Sequence, residues 1–510
     1  MKTQLLLLCL AGICSLCQCT NSTGSSHSDA TNTLIQGATG ARMDSLFTPY
    51  LEQLRVATDN EAAIAVGITQ GEEIVYARSF GLANVAQDIP ADLHTLFHVA
   101  SLSKPFTSLA IATLVEKGAL RFDDRLVDIV PEFEMADSND QEITIRHLLS
   151  HSAGVPRHVA TDDWLKPSFG PQAVSENLEH ARSFALDFKP SSQYSYSNAG
   201  FDLLGVVIER VSGQPFAEYL EQAVLRPAGM RTSTFVHEGN SLPSNWAEAY
   251  SYGVQTQVWE PFPYSERVLP SSGLKASILD LCQWGLLHVK NGEAPTGRLL
   301  KAETMNEIVS PQIATPWGDQ MGLGWFLQSY LDRPIIMHTG ADTGFEAMIY
   351  IYPEEDVSIV VLANRDFART GRLINAASEI LFGQSPKEYQ VSARFPFAKT
   401  FQRDGMEAAR KHWQILEADT TDIYQADSDD LLTAGAVLEN GKYWSAANEM
   451  LTFYLESNPE STYAWRLLGN TYLGMSDTLQ AIDCYRQTLA INPDYEKGQK
   501  ALLQLESRGN

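Results

Sequence analysis

The stretch SKPFTSLAIATLVE (103–116) constrains this chain more than any other. Its spacing reads as a helix, yet it is apolar nearly all round and keeps no polar stripe for water. Such a helix must be surrounded by protein, so the chain has to build a core thick enough to bury it on every side. Pro105 is tolerated in the first turn, where N–H groups lack partners anyway, and Gly118 is placed to end the helix. One residue type is out of place. Lys104, long and charged, stands at the mouth of this run, three positions after Ser101. Residues i and i+3 share a helix face, so amine and hydroxyl can meet. Partial desolvation favours the neutral amine, which suits it to take a proton from the serine. The helix N-terminus adds free N–H groups and partial positive charge for a developing oxyanion. Ser-x-x-Lys alone proves little, because a capping serine beside a solvated lysine gives the same spacing. Ser272-Gly273-Leu274-Lys275 repeats it after Leu269-Pro270-Ser271, where it reads as a turn.

The chain is long enough for such a core. Its 510 residues leave room for two or three domains, and 44% hydrophobic with 19% charged residues is an ordinary globular balance. MDSLFTPYLEQLRVA (43–57) has apolar residues at helical spacing, and AAIAVGITQGEEIVYARSFG (62–81) reads as a hairpin turning at Gly71. From about 120 to 330, helices and loops dominate, broken by the turn clusters KPSSQ, LPSSG and KNGEAPTG. Strands return with RPIIMHTG, FEAMIYIYP and VSIVVLANR, the last two joined across Pro353-Glu354-Glu355-Asp356. Strands at both ends of a helical region predict an α+β arrangement, an antiparallel sheet flanked by helices with a mostly helical subdomain.

The flanks differ in character. MKTQLLLLCLAGICSLCQC (1–19) has a basic Lys2 and an apolar stretch from Leu5 to Leu16, too short to span a bilayer and right for an export signal. A Ser/Thr/Gly-rich polar tether, 20–42, follows it. The arrangement resembles a bacterial lipoprotein with Cys19 the lipidated residue, although Gln18 replaces the usual small residue, so plain export stays open beside membrane anchoring. Four of six cysteines fall in this segment, leaving Cys282 and Cys484, which are expected in separate domains, so no disulfide framework is expected. A net charge of −25 argues against nucleic acid and against an anionic membrane surface. At the other end, Asn458-Pro459 and Asn492-Pro493 recur 34 residues apart, and Gly435/Gly469, Ala447/Ala481 and Leu455/Leu489 keep that period. With Trp465, Leu468, Tyr472 and Tyr485 they follow the tetratricopeptide pattern over 428–505. A linker, 386–427, contains a degenerate third copy in DGMEAARKHWQIL. About three repeats are needed for independent stability, so this array should lean on the preceding domain or on a protein partner.

Two further motifs give Ser101 its context. Tyr196-Ser197-Asn198 is the only Tyr-x-Asn among 19 tyrosines, and His338-Thr339-Gly340 lies on the predicted strand IIMHTGADTGF. Ser-x-x-Lys, Tyr-x-Asn and His-Thr-Gly in this order resemble the serine β-lactamase-like and penicillin-binding superfamily, in its class C β-lactamase, D-alanyl-D-alanine carboxypeptidase and esterase branch. TIRHLLSHSAGVP, VLRPAGMRTSTF and LPSSGLKASILDLCQW match its flanking phrases, and the hydrolase domain is expected over 43–385. The resemblance implies Ser101 as nucleophile and Lys104 as its proton acceptor. Tyr196 would be the general base or acid serving the leaving group and then water. Asn198, Thr339 and Gly340 would hold substrate, and the backbone N–H groups of Ser101 and Ala341 would form the oxyanion hole. His338 stands where many relatives carry lysine, and an imidazole is mostly neutral above its usual pKa of about 6.5. That weakens the case for a dedicated β-lactamase and leaves D-peptides, β-lactams and small esters open as substrates. No cofactor is implied.

Competing readings are weaker. His147 and His151 have zinc-binding spacing, but no H-E-x-x-H frame exists and RHLLSHSAG matches a structural segment of the family, so no metal is assigned. TGADTGFEAM lacks the frame of a nucleotide loop. The alternative from another class is a non-catalytic scaffold that recruits a protein through its repeats; the intact set of three motifs speaks against it.

Overall fold

The computed structural model describes residues 32–506 apart from 59, 137, 158–166, 237–244, 252–256, 259–264, 388–389 and 419–423. The export signal, Cys19 and most of the tether lie outside the described residues. The tether segment nevertheless carries structure from Thr33, because Thr33-Leu34-Ile35 has the composition of a strand and pairs with Tyr76–Arg78.

Among the described residues, nine strands form one antiparallel sheet: β1 (Thr33–Ile35), β2 (Ile64–Gln70), β3 (Glu73–Phe80), β4 (Ile313–Ala314), β5 (Gln320–Met321), β6 (Phe326–Tyr330), β7 (Arg333–Asp342), β8 (Phe345–Tyr352) and β9 (Val357–Ala363). Their order across the sheet is β1-β3-β2-β9-β8-β7-β6-β5-β4. The N-terminal hairpin therefore pairs with the last strand, Ile64 opposite Ala363. The sheet is assembled from the two ends of the domain, as the strand pattern predicts.

Alternation along the strands decides what each face buries. Ile64, Val66, Ile68, Ile359 and Val361 face one side, where helices α1 (Gly37–Ala57) and α5 (Thr370–Leu381) cover them. Ala63, Ala65, Val360 and Leu362 face the other, toward helices α2 (Lys104–Glu116), α3 (Asn198–Ser212) and α4 (Ile278–Val289). Small residues let α4 approach closely. A Cβ on Gly67 would lie 2.3 Å from Cys282 Sγ, and one on Gly285 would lie 2.0 Å from Ser358 Oγ. Cys282 is thus buried against the sheet, while Cys484 is buried in a separate cluster.

Beyond this α/β body the chain is a run of helices: α6 (Arg394–Asp404), α7 (Met406–Glu417), α8 (Ser428–Asn440), α9 (Trp444–Ser457), α10 (Thr462–Gly474), α11 (Thr478–Ile491) and α12 (Glu496–Glu506). The segment expected as a linker is itself largely helical. From α8 onward each helix packs on the next, with Gly435 seated on Leu451 and Gly469 on Tyr485. The run touches the α/β body where Val391 and Phe395 meet Ala57, and where the Arg394 guanidinium lies 5.3 Å from the Phe367 ring centre.

Ser358 Oγ, the atom nearest the missing Gly285 side chain, is bonded to Thr69 Oγ1 at 2.7 Å and has little freedom to move. Gly285→Ala should therefore destabilise the protein by about 1–3 kcal/mol. Urea unfolding would record this as a lower midpoint at unchanged slope, and an unchanged midpoint would mean that α4 can slide on the sheet.

Candidate active site

Helix α2 is buried along its whole first half, including its polar residues: Ser103, Lys104, Thr107 and Ser108 are all fully enclosed. A buried polar group needs a partner, and each of these uses its own to fasten a neighbouring segment. Ser103 Oγ donates to Ala100 O at 2.7 Å and accepts Leu274 N–H at 2.9 Å. Thr107 Oγ1 donates to Pro270 O at 2.7 Å, and Ser108 Oγ to Leu323 O at 2.5 Å. The apolar helix is a hub whose few polar atoms hold the segments around its N-terminus.

Lys104 holds the chemistry. Its Nζ donates to Ser101 Oγ at 3.0 Å and to Ser271 O at 2.9 Å. The same nitrogen lies 4.8 Å from the Tyr196 ring centre and 5.8 Å from that of Phe201. Ser101 itself is only half-buried, on a single 3-10 turn (Ala100–Ser103) that runs straight into α2. Ala100, just before it, has φ +48°, a left-handed conformation uncommon for a residue with a side chain and frequent at functional turns.

Strand β7 crosses directly over this turn. A Cβ on Gly340 would lie 2.0 Å from Val99 O and 3.1 Å from Leu102 N, so only glycine permits the approach. Ala341 follows it, exposed, opposite Glu346 on β8. The end of β7 is tied to the residues leading to the nucleophile by His98 Nε2 and Asp342 Oδ2, 3.2 Å apart. Thr339 points to the exposed side of the strand. His338, on the opposite face of the strand, is 1% exposed. Its Nδ1 donates to Thr339 O at 2.7 Å, and burial, helped by the Lys104 charge, lowers its pKa to about 3. Asn198 heads α3, its Oδ1 buried without a partner among the described residues.

The structure thus brings Ser101, Lys104 and Tyr196 together and buries His338. It also adds residues that the motifs do not name. Ser271, in the LPSSG segment, which forms a short helix (Leu269–Ser272) rather than the expected turn, supplies Lys104 with a carbonyl while its own N–H donates to Asp202 Oδ1 at 3.1 Å. Burial raises the Asp202 pKa to about 7, against the Ser271 hydrogen bond and the Lys104 and Arg267 charges. An acid inside the apolar run NAGFDLLGVVIE is the same kind of signal that singles out Lys104, and it could have been read from sequence. His151 is the other addition. It packs against Tyr196, whereas His147 Nδ1 turns away to accept Thr144 N–H at 3.3 Å, so the zinc-spaced pair does not act as one.

Comparisons with known proteins find relatives of the α/β body. Residues 43–381 match the family model described as Beta-lactamase. The chain is 28% identical over 330 residues to "Penicillin-binding protein 4*" of Bacillus subtilis, covering 62% of this chain and 71% of that one. It is 26% identical over 308 residues to "Protein flp" of Staphylococcus aureus, spanning 60% of each chain. Among solved structures, the octameric penicillin-binding protein homologue from Pyrococcus abyssi superposes with a TM-score of 0.60 at 26% identity, over 70% of this chain and 82% of that one. A penicillin binding protein from Bacillus halodurans does so at 0.54 and 29%, over 65% and 99%.

The buried imidazoles set a pH dependence of stability. His288 and His338 are both lowered from 6.5 to about 3 by burial, so below 6.5 the unfolded chain takes protons that the native state refuses. Each then removes up to about 1.4 kcal/mol per pH unit as pH falls through that window. Asp202, raised from 3.8 to about 7, has the opposite sign between those values and offsets one histidine. The urea midpoint should rise with pH from 4 to 6.5, less steeply in His288→Phe; a flat wild-type profile would contradict neutral burial of these rings.

Proposed function

Because this chain belongs to the Beta-lactamase family, we propose that it is a serine hydrolase that forms an acyl-enzyme at Ser101 from an amide or ester substrate. One observation carries the reading: a fully buried lysine amine within 3.0 Å of a half-buried serine hydroxyl at the start of a buried helix. In this mechanism Lys104 takes the Ser101 proton as Oγ attacks the carbonyl carbon. The backbone N–H groups of Ser101 and Ala341 receive the developing oxyanion; one such donor is worth about 3 kcal/mol in the transition state. Tyr196 then delivers a proton to the leaving group and later withdraws one from the attacking water. Asn198, Thr339 and Gly340 border the acyl group, with Thr339 on the open side of β7. The contact of Lys104 with the Tyr196 ring supports placing the two side chains at one site.

The substrate class we favour bears a carboxylate close to the scissile bond, as D-peptides and β-lactams do. His338 is neutral and buried, so it offers no cation at the rim. Arg157 does: it is exposed, and its guanidinium lies 5.3 Å from the Tyr196 ring centre. We read helices α8 to α12 as tetratricopeptide repeats that present a surface to a protein partner. The chain is read as exported, with Cys19 lipidated or free.

Ser101→Ala should abolish covalent labelling by a fluorophosphonate and turnover of p-nitrophenyl esters; labelling that persists would refute the assignment. Arg157→Ala should raise KM about tenfold or more for substrates with a free carboxylate, the worth of one charge-assisted hydrogen bond, and leave carboxyl-free esters unchanged. Equal effects on both classes would remove the argument for an anionic substrate.

A further inference from the structure

We infer that His151 is a positioning residue for Tyr196: it grips the chain on both sides of the tyrosine and sets the phenol relative to Lys104. The inference rests on the serine hydrolase reading above and adds a residue that the reading does not use. Three contacts carry it. The His151 carbonyl accepts Ser195 N–H at 2.9 Å, and its Nδ1 accepts Ser197 N–H at 3.1 Å. Between those two bonds, the imidazole lies 4.3 Å from the Tyr196 ring centre, inclined by 32°. One residue thus fixes the backbone before Tyr196, the backbone after it and one side of its ring.

The local backbone is adapted to this. His151 has φ +57°, and in that left-handed conformation its carbonyl and its ring reach the same three-residue segment. The ring cannot swing away, because Phe201 and Tyr194 stand 5.0 and 6.0 Å from it and only 2% of the residue is exposed. Since Nδ1 accepts, the proton of the neutral ring is on Nε2. That N–H is buried without a partner among the described residues. A histidine serving only to fill space would be satisfied or replaced by an apolar ring, so the open donor marks a residue kept for its Nδ1 acceptor. Burial and the Lys104 charge both hold the imidazole in its neutral form, which preserves that acceptor.

Orientation errors of about 1 Å cost about 100-fold in rate, and that sets the scale of the test. His151→Phe keeps the ring and loses the acceptor, whereas the carboxamide oxygen of His151→Asn can reach the place of Nδ1. Both variants are made in wild-type and Tyr196→Phe backgrounds and assayed with a p-nitrophenyl ester, with melting curves to confirm folding. In the wild-type background H151F should lower kcat about 100-fold with KM little changed, and H151N should recover to within about tenfold of wild type. In the Y196F background neither should cost more than about twofold, because His151 acts only through Tyr196. Equal losses in the two backgrounds, or H151N no better than H151F, would overturn the inference. If H151F does not fold, H151N carries the same cycle: its loss must vanish in Y196F, and a loss that persists overturns the inference. Labelling at Ser101 separates the two claims. A wild type that labels, with H151F at full kcat, sinks only the positioning role; a wild type indistinguishable from S101A sinks the hydrolase reading and this inference with it.

Discussion

The amine of Lys104 is withdrawn from water completely, and the rest of the site is arranged around that fact. Enclosing a polar head group costs several kcal/mol unless the surroundings replace its hydrogen bonds to water. Here the replacement is a serine hydroxyl, one backbone carbonyl and the faces of two aromatic rings. These substitutes come from the turn carrying Ser101, from the segment around Ser271 and from residues 196–201. The lysine therefore cannot be buried until the helical subdomain, the LPSSG segment and the Tyr196 loop have all closed on it.

Close backbone approach is the second constraint, and it is met by glycine. Strand β7 rests on the turn that carries Ser101 only because Gly340 has no side chain. The His98–Asp342 pair secures the same junction from the other end. Sheet and helix thus share a seam at which the serine is exposed while its neighbours on α2 are not. Electrostatics follow from this packing. The two imidazoles beside the lysine, His151 and His338, are both kept neutral, first of all by burial.

Much of this could be read from the chain before it folded. A helix apolar on every side announces a thick core. The lysine at its mouth is legible because a charge there has no bland explanation once Tyr-x-Asn and His-Thr-Gly follow in order. Strand alternation in 62–81 and 345–363 likewise foretells a sheet closed between the two ends of the domain. Less was legible where a residue acts through its backbone or across long separations. Ser271 contributes a carbonyl 167 residues from Lys104, and any residue type could have supplied it. His151 reaches Ser197 over 46 residues, and its spacing from His147 pointed toward a metal that neither ring is arranged to hold.

By itself, then, the sequence determined periodicity, motif order and the types of groups available, because these depend on neighbours within a few residues. It could not distinguish two Ser-x-x-Lys copies by spacing. The tertiary structure did so: Ser101 and Lys104 lie on one continuous helical path, whereas Ser272 ends a short helix and Lys275 belongs to a two-residue strand paired with His98. It also decided that His338 would be enclosed, since the parity of β7 turns that side chain inward. Those outcomes are set by contacts between segments more than a hundred residues apart, and only the closed fold brings such segments together.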